Sequence, residues 1–178
     1  MIIHEEKTEG NFAGTIIDLE TIGNFDNYYD SRRYRNITPV IFGFVNSNIL
    51  NIFCAKSKNS IPLLKNKIEE LLPQLSRPFH AFNCDFEMGV LSHFCGKEIL
   101  FNGEINKEKF EKKENVVESL NISKYSDPFN GNGLLCSQAW SNGKLKEAIA
   151  HNRSCLLKER EILKLRGMRN PDLLKFVS

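Results

Sequence analysis

No CxxC pair occurs in this sequence, and its five cysteines (Cys54, Cys84, Cys95, Cys136 and Cys155) are odd in number. That argues against a disulfide framework and against a structural zinc site. Reduced thiols in a cytoplasmic protein are the expectation. His93 and Cys95 stand two residues apart, but they read as a buried helix edge rather than as a metal pair. No apolar run approaches the roughly 18 residues that would cross a bilayer, so no membrane association is expected. The opening MIIHEEKTEG turns polar and acidic after three residues, which does not read as a secretory signal. Charge of one sign is not in excess. A formal net charge of +2 and a pI near 8.2 are too weak to mark a nucleic-acid binder by themselves. Internal repeats, low-complexity tracts and linkers are missing as well.

What is present suits one globular domain over 1–178. The chain is 41% hydrophobic and 26% charged, and is long enough for a real core. The basic residues cluster in two places, SRRYR (Ser31 to Arg35) and Lys158 to Arg169. Each can be a phosphate contact or a solvated face. Ala13 to Leu19, Val40 to Val45 and Ile49 to Ala55 read as strands, with NSN (Asn46 to Asn48) as a hairpin turn. Ser60 is the expected cap of a helix with Pro62 in its first turn, running to about Leu75. Pro78 to Asn83 reads as a short strand, and Phe86 to Phe94 as a helix stopped by Gly96. Leu100 to Asn121 is charged and ambiguous, with NVVESLNI a candidate helix. SDPFNGNG (Ser126 to Gly133) is loop chemistry, and Asp127 within it suits turn initiation, a substitute acid being the alternative. Gly143 to Arg166 has a helical pattern with an expected break near His151 and Asn152. The order of elements predicts an α/β fold, a mixed sheet with helices packed on it.

Three stretches carry chemistry. GTIIDLETIG (Gly14 to Gly23) places Asp18 and Glu20 two residues apart on an apolar strand, so both carboxylates share one face. HAFNCDFEMGVL (His80 to Leu91) ends a strand and opens a helix with Asn83 and Asp85. AIAHNRSCLLKEREIL (Ala148 to Leu163) stacks His151, Cys155 and Glu159 at i, i+4 and i+8 on one helix. Converging carboxylates are what two Mg²⁺ or Mn²⁺ ions about 3.5–4 Å apart require for phosphodiester cleavage.

In order and content these stretches resemble the three motifs of the DEDD-type 3′→5′ exonucleases. They are most similar to the prokaryotic predicted exonucleases with an HNxxD third motif. The resemblance spans Gly14 to Leu163. It implies a ribonuclease-H-like fold with a mixed five-stranded sheet, three strands antiparallel and the rest parallel, flanked by helices. It also implies hydrolysis of single-stranded DNA or RNA from the 3′ end with two Mg²⁺ or Mn²⁺ ions. Asp18 would bridge the ions. Glu20 would bind one and orient water, and Asp85 would reach the other. His151 would be the general base. Cys155 stands where the fourth acid is expected, and Glu159, one turn on, is the carboxylate able to replace it. Thr21, Asn83, Arg32, Arg33 and Tyr34 are the expected substrate contacts, with aromatic rings after the first motif stacking on unpaired bases. The substitution at Cys155 also sustains a second reading, a catalytically impaired nucleic-acid-binding domain.

Overall fold

The strand β2 (Thr15–Gly23) sits inside the sheet because its residues are almost all apolar and β-branched up to the two acids. A computed structural model describes residues 1–172 and 174–177. Around β2 it builds a six-stranded sheet in the order β1-β4-β3-β2-β5-β6. The other strands are β1 (Ile2–Lys7), β3 (Ile37–Val45), β4 (Ile49–Cys54), β5 (Phe79–Ala81) and β6 (Gly103–Glu104). β1, β4, β3 and β2 pair antiparallel, while β5 and β6 run parallel to β2. The fold is thus α/β with a mixed sheet, of six strands rather than five.

β2 to β5 are the four strands placed in the sequence, and β6 and the edge strand β1 are additional to them. The residues of β1 alternate between half-buried and exposed, with charges at Glu5, Glu6 and Lys7. A charged edge strand of this kind deters edge-to-edge pairing with other chains, and the same charges make it look like a polar terminus in sequence. Arg153 ties it to the last helix through both Glu6 oxygens, at 2.9 Å for Nη2.

Five α-helices flank the sheet among the described residues: α1 (Ile61–Leu71), α2 (Cys84–Cys95), α3 (Lys113–Ser119), α4 (Gly133–Ser141) and α5 (Leu145–Arg166). α1 is shorter than its apolar spacing predicts. Ser60 holds the N-cap position of α1 as expected, but its hydroxyl donates to the Ser57 carbonyl at 2.9 Å and closes a 3₁₀ turn rather than bonding to the helix. Gly96 does end α2, at φ +67°, the left-handed region that glycine tolerates. The short helix α3 lies inside the ambiguous charged segment. α4 has no apolar periodicity that reveals it. Asn132 caps it through Leu134 N and Leu135 N, and the Trp140 indole anchors it to the Ala55 carbonyl at 2.6 Å.

α5 packs on β2, β3 and β4, while α1 and α2 pack on β3. The expected break near His151 is corrected: the helix runs unbroken through it. Asn152 lies mid-helix, and its side chain bonds to β2 instead of capping. α5 lies close against the sheet at Gly43, which pairs with Asp18 across β3 and β2. A methyl group there would sit 2.0 Å from Asn152 Oδ1 and 2.8 Å from Leu156, so only glycine admits the helix. Ile16, Ile17, Ile41, Phe42, Phe79 and Leu91 fill the core beneath. Each such side chain contributes about 1.5–3 kcal/mol on burial.

Candidate metal centre

Asp18 and Glu20 project from the middle of β2 toward α5, and both are buried. Asn152 Nδ2 donates to Asp18 Oδ2 at 2.7 Å and to the Asp18 carbonyl at 3.2 Å. The ammonium of Lys113, at the start of α3, donates to Asp18 Oδ1 at 3.2 Å and also to Glu159 Oε1. Burial opposes the Lys113 charge, but Asp18 and Glu159 outweigh it and hold the ammonium well above its usual range. One buried lysine therefore bridges two carboxylates that come from β2 and α5.

The acids outnumber that cation. Glu87 on α2 is buried with Oε2 unpartnered, and Glu159 Oε2 is unpartnered as well. Burial first, and then the charges of Asp18 and Glu159, push Glu87 well above the ordinary carboxylate range. Burial and the Asp18 charge push Glu159 up to about 8, against the pull of Lys113. Burial and the Asp18 charge likewise push Glu20 up to about 7. A fully desolvated carboxylate without a full set of donors holds its proton more tightly.

A second group of donors meets Glu20. His151 Nε2 lies 3.6 Å from Glu20 Oε1, and Cys155 Sγ lies 3.7 Å from the same nitrogen. Cys136, in the first half of α4, completes a triad with Glu20 and His151 whose ligand atoms lie within 4.8 Å of one another. Asp18, Glu20 and Cys155 form another triad within the same limit. The His151 ring is oriented from behind, where Nδ1 bonds to Asp127 Oδ1 at 2.7 Å. Asp127 also accepts from Phe129 N, Gly131 N and the buried ammonium of Lys158. Burial works against the Asp127 carboxylate, but these donors hold it well below its usual range. Burial also lowers His151, and the Asp127 bond together with the charge of Glu20 reverses that and raises it.

Asp18, Glu20, His151, Cys155 and Glu159 are thus brought together as their spacing suggests. Asp85 is not. It lines a separate groove of about 540 Å³ with Phe25, Tyr29, Arg33, Lys109 and Phe110, and the charges that act on it are Lys109, Asp172, Arg169 and Arg33. Two residues apart on a helix, side chains point about 200° apart, so only one of Asp85 and Glu87 can face Asp18. That one is Glu87. Its signal in the sequence is the α2 core periodicity, because Glu87 and Leu91 are i and i+4 and both are buried.

The expected substrate contacts divide similarly. Asn83 and Arg33 line the groove, and Arg33 lies over the Phe25 and Tyr34 rings. Arg32 is bound to Asp30, with Nη2 at 2.7 Å from Oδ2. Tyr34 lines the groove but is buried, packed edge-on to Phe25 and Phe86. Thr21 is half-buried where the β2–β3 register shifts. The second basic stretch is tied into the protein. Lys158 is buried, Arg166 is held by Glu111 and Arg169 by Glu104. His93 bonds to the Ser31 hydroxyl at 3.2 Å rather than joining Cys95 at a metal. Lys113 and Cys136 carry no motif of their own, and only the fold brings them to the site.

No protein-family model matches the chain, and none of the curated proteins or solved structures matches it either. The reading of the site therefore rests on its geometry. No helix among the described residues is long and apolar enough to cross a membrane.

Proposed function

We propose that this protein is a metal-dependent phosphodiester hydrolase of the 3′→5′ exonuclease type, acting on single-stranded nucleic-acid ends from a ribonuclease-H-like scaffold. The observation that carries the reading is the gathering of acids from three separate segments around Asp18: Glu20 from β2, Glu87 from α2 and Glu159 from α5. Without the edge strand β1, the sheet has three antiparallel strands and two parallel ones, the composition that the resemblance implies.

The donor set fits hard cations only in part. Asp18 and Glu159 offer oxygen to Mg²⁺ or Mn²⁺ in the place that Lys113 bridges. The Glu20 end carries an imidazole and two thiols, which suit a second Mg²⁺ poorly. A divalent ion held at the acids would stabilise charge on the phosphoryl group and lower the pKa of an attacking water. The protein's own part is positioning. Asn152 fixes the Asp18 carboxylate, Asp127 fixes the His151 ring, and Lys113 balances charge until a cation replaces it. In the groove that Asp85 lines, the exposed rings of Phe25, Tyr29 and Phe110 stand with Arg33 and Lys109. Rings and cations so arranged suit stacked bases and a phosphate backbone.

A second reading, a binding domain with impaired catalysis, is favoured by Lys113 bridging the acids and by Cys155 at the fourth acidic position. A 5′-labelled single-stranded oligonucleotide with Mn²⁺ separates the two. We expect the parent to shorten it from the 3′ end and Asp18→Ala to reduce the trimming to background while remaining folded. A parent that retains the oligonucleotide on a filter but leaves it uncut is the binding domain. Equal trimming by parent and Asp18→Ala would place the activity elsewhere.

A further inference from the structure

We infer that Glu20, Cys136 and His151 form a site for one transition-metal ion of the zinc type, so that the centre is not a pair of equivalent Mg²⁺ positions. This inference rests on the reading of the cluster as a metal site, and it concerns which metal the site takes.

The donors decide it. A carboxylate oxygen, a thiol sulfur and an imidazole nitrogen lie within 4.8 Å of one another, all buried. Bonds of about 2.0–2.3 Å in a tetrahedron put ligand atoms about 3.3–3.8 Å apart. Glu20 Oε1 and His151 Nε2 are already 3.6 Å apart, so closing on an ion takes side-chain adjustments of an ångström or less. Nitrogen and thiolate donors select zinc, cobalt and similar ions over magnesium, which prefers oxygen throughout.

Orientation supports the same ligand. With Nδ1 donating to Asp127 at 2.7 Å, the neutral His151 ring presents the Nε2 lone pair to Glu20 and the two thiols. A carboxylate behind a histidine ligand is the usual device for fixing the tautomer and the ring plane of a metal-bound imidazole. Lys158 and two backbone amides hold that carboxylate in turn, so the ring has little freedom to turn away. Three protein ligands leave one position open, as in catalytic zinc sites. Cys155, at 3.7 Å from Nε2, stays outside this ligand set. In the free protein the Cys136 thiol points toward the Ala148 carbonyl at 3.7 Å, a long contact that is readily exchanged for a metal bond. Lys113, Asp18 and Glu159 stay outside this ligand set, and Glu20 is the carboxylate that turns to the metal. His151 Nε2 becomes a ligand rather than a proton acceptor.

The test is cobalt and zinc binding by the whole chain. With Co²⁺ we expect a sulfur-to-cobalt charge-transfer band in the near ultraviolet, bleached by one equivalent of Zn²⁺. The band should vanish in Cys136→Ser and persist in Cys155→Ser. The parent loaded with Zn²⁺ covers the case of a variant that fails to fold, since its zinc-edge X-ray absorption should show a sulfur neighbour. An all-oxygen zinc shell, or a band lost with Cys155 and kept without Cys136, overturns the inference. Trimming in Mn²⁺ combined with an all-oxygen shell would end this inference and leave the proposed activity standing. A sulfur shell with no trimming in any metal would keep the inference and end the proposed activity.

Discussion

Asp127 packs against α5 and Glu159 lies on it; both are buried carboxylates, and they are provided for in opposite ways. Asp127 accepts from His151, Lys158 and two backbone amides, so its charge is fully met. Glu159 has Lys113 on one oxygen and nothing on the other, and Glu87 nearby has an unpartnered oxygen too. A satisfied buried charge holds a fold in one arrangement, whereas an unsatisfied one costs free energy until a ligand arrives. The contrast places Asp127 in the framework and leaves the acids around Asp18 as groups that could take a cation.

The sharpest way to break that contrast is Asp127→Asn. Lys158 would keep only Glu114, at 3.0 Å, as a charged partner, and the His151 ring would face a neutral amide in place of a carboxylate. We expect a loss of about 3–5 kcal/mol, read as a lower urea midpoint. Next in size is Gly43→Ala, which pushes Asn152 and Leu156 off β2. About 1–3 kcal/mol should be lost in the same measurement, and the Asp18 side should lose cation affinity along with it.

A further effect should follow pH. Glu20 and Glu159 bind a proton more tightly folded than unfolded, near about 7 and about 8 instead of 4.5, and His151 is raised also. Their contribution is full below the unfolded pKa values and is lost as pH rises through the folded ones. Metal-free protein should therefore melt lower at pH 8.5 than at pH 6, by about 2–4 °C for each kcal/mol involved. Saturating divalent metal should shrink that difference, because the ion favours the ionised acids. An unchanged melting temperature over this range would place the acids in ordinary surroundings. Smallest of all is Glu87→Gln. Here a neutral amide replaces an acid that burial already keeps protonated, so stability should move by less than about 1 kcal/mol. A loss as large as that of Asp127→Asn would erase the distinction between the two carboxylates.

Local rules brought some of this within reach of the sequence. The two-residue period of a strand puts Asp18 and Glu20 on one face, and the helical period aligns His151, Cys155 and Glu159. Both hold because each is a repeat within one element. Asp85 fails for the same kind of reason, since the 3.6-residue period turns it away from the face that Glu87 shares with Leu91. The edge strand β1 is concealed by its charges, and α4 by its weak apolar pattern. The segment from His151 to Glu159 is enclosed almost all round, with Asn152, Ser154, Lys158 and Glu159 buried. Polar residues at such positions read as a solvated face until the partners are known. Lys113 and Cys136 come from segments without motifs, and only tertiary packing sets them beside Asp18 and Glu20.

The Asn152–Asp18 bond spans 134 residues of chain. Ribosomes add about 5–20 residues per second, so that interval is about 7–27 s of synthesis. Throughout it, the β2 acids exist without the helix that orients them, and long-range closures of this kind come late in folding. The β2 acids therefore stand first on an open strand, and the cluster around Asp18 closes only once α5 has been made.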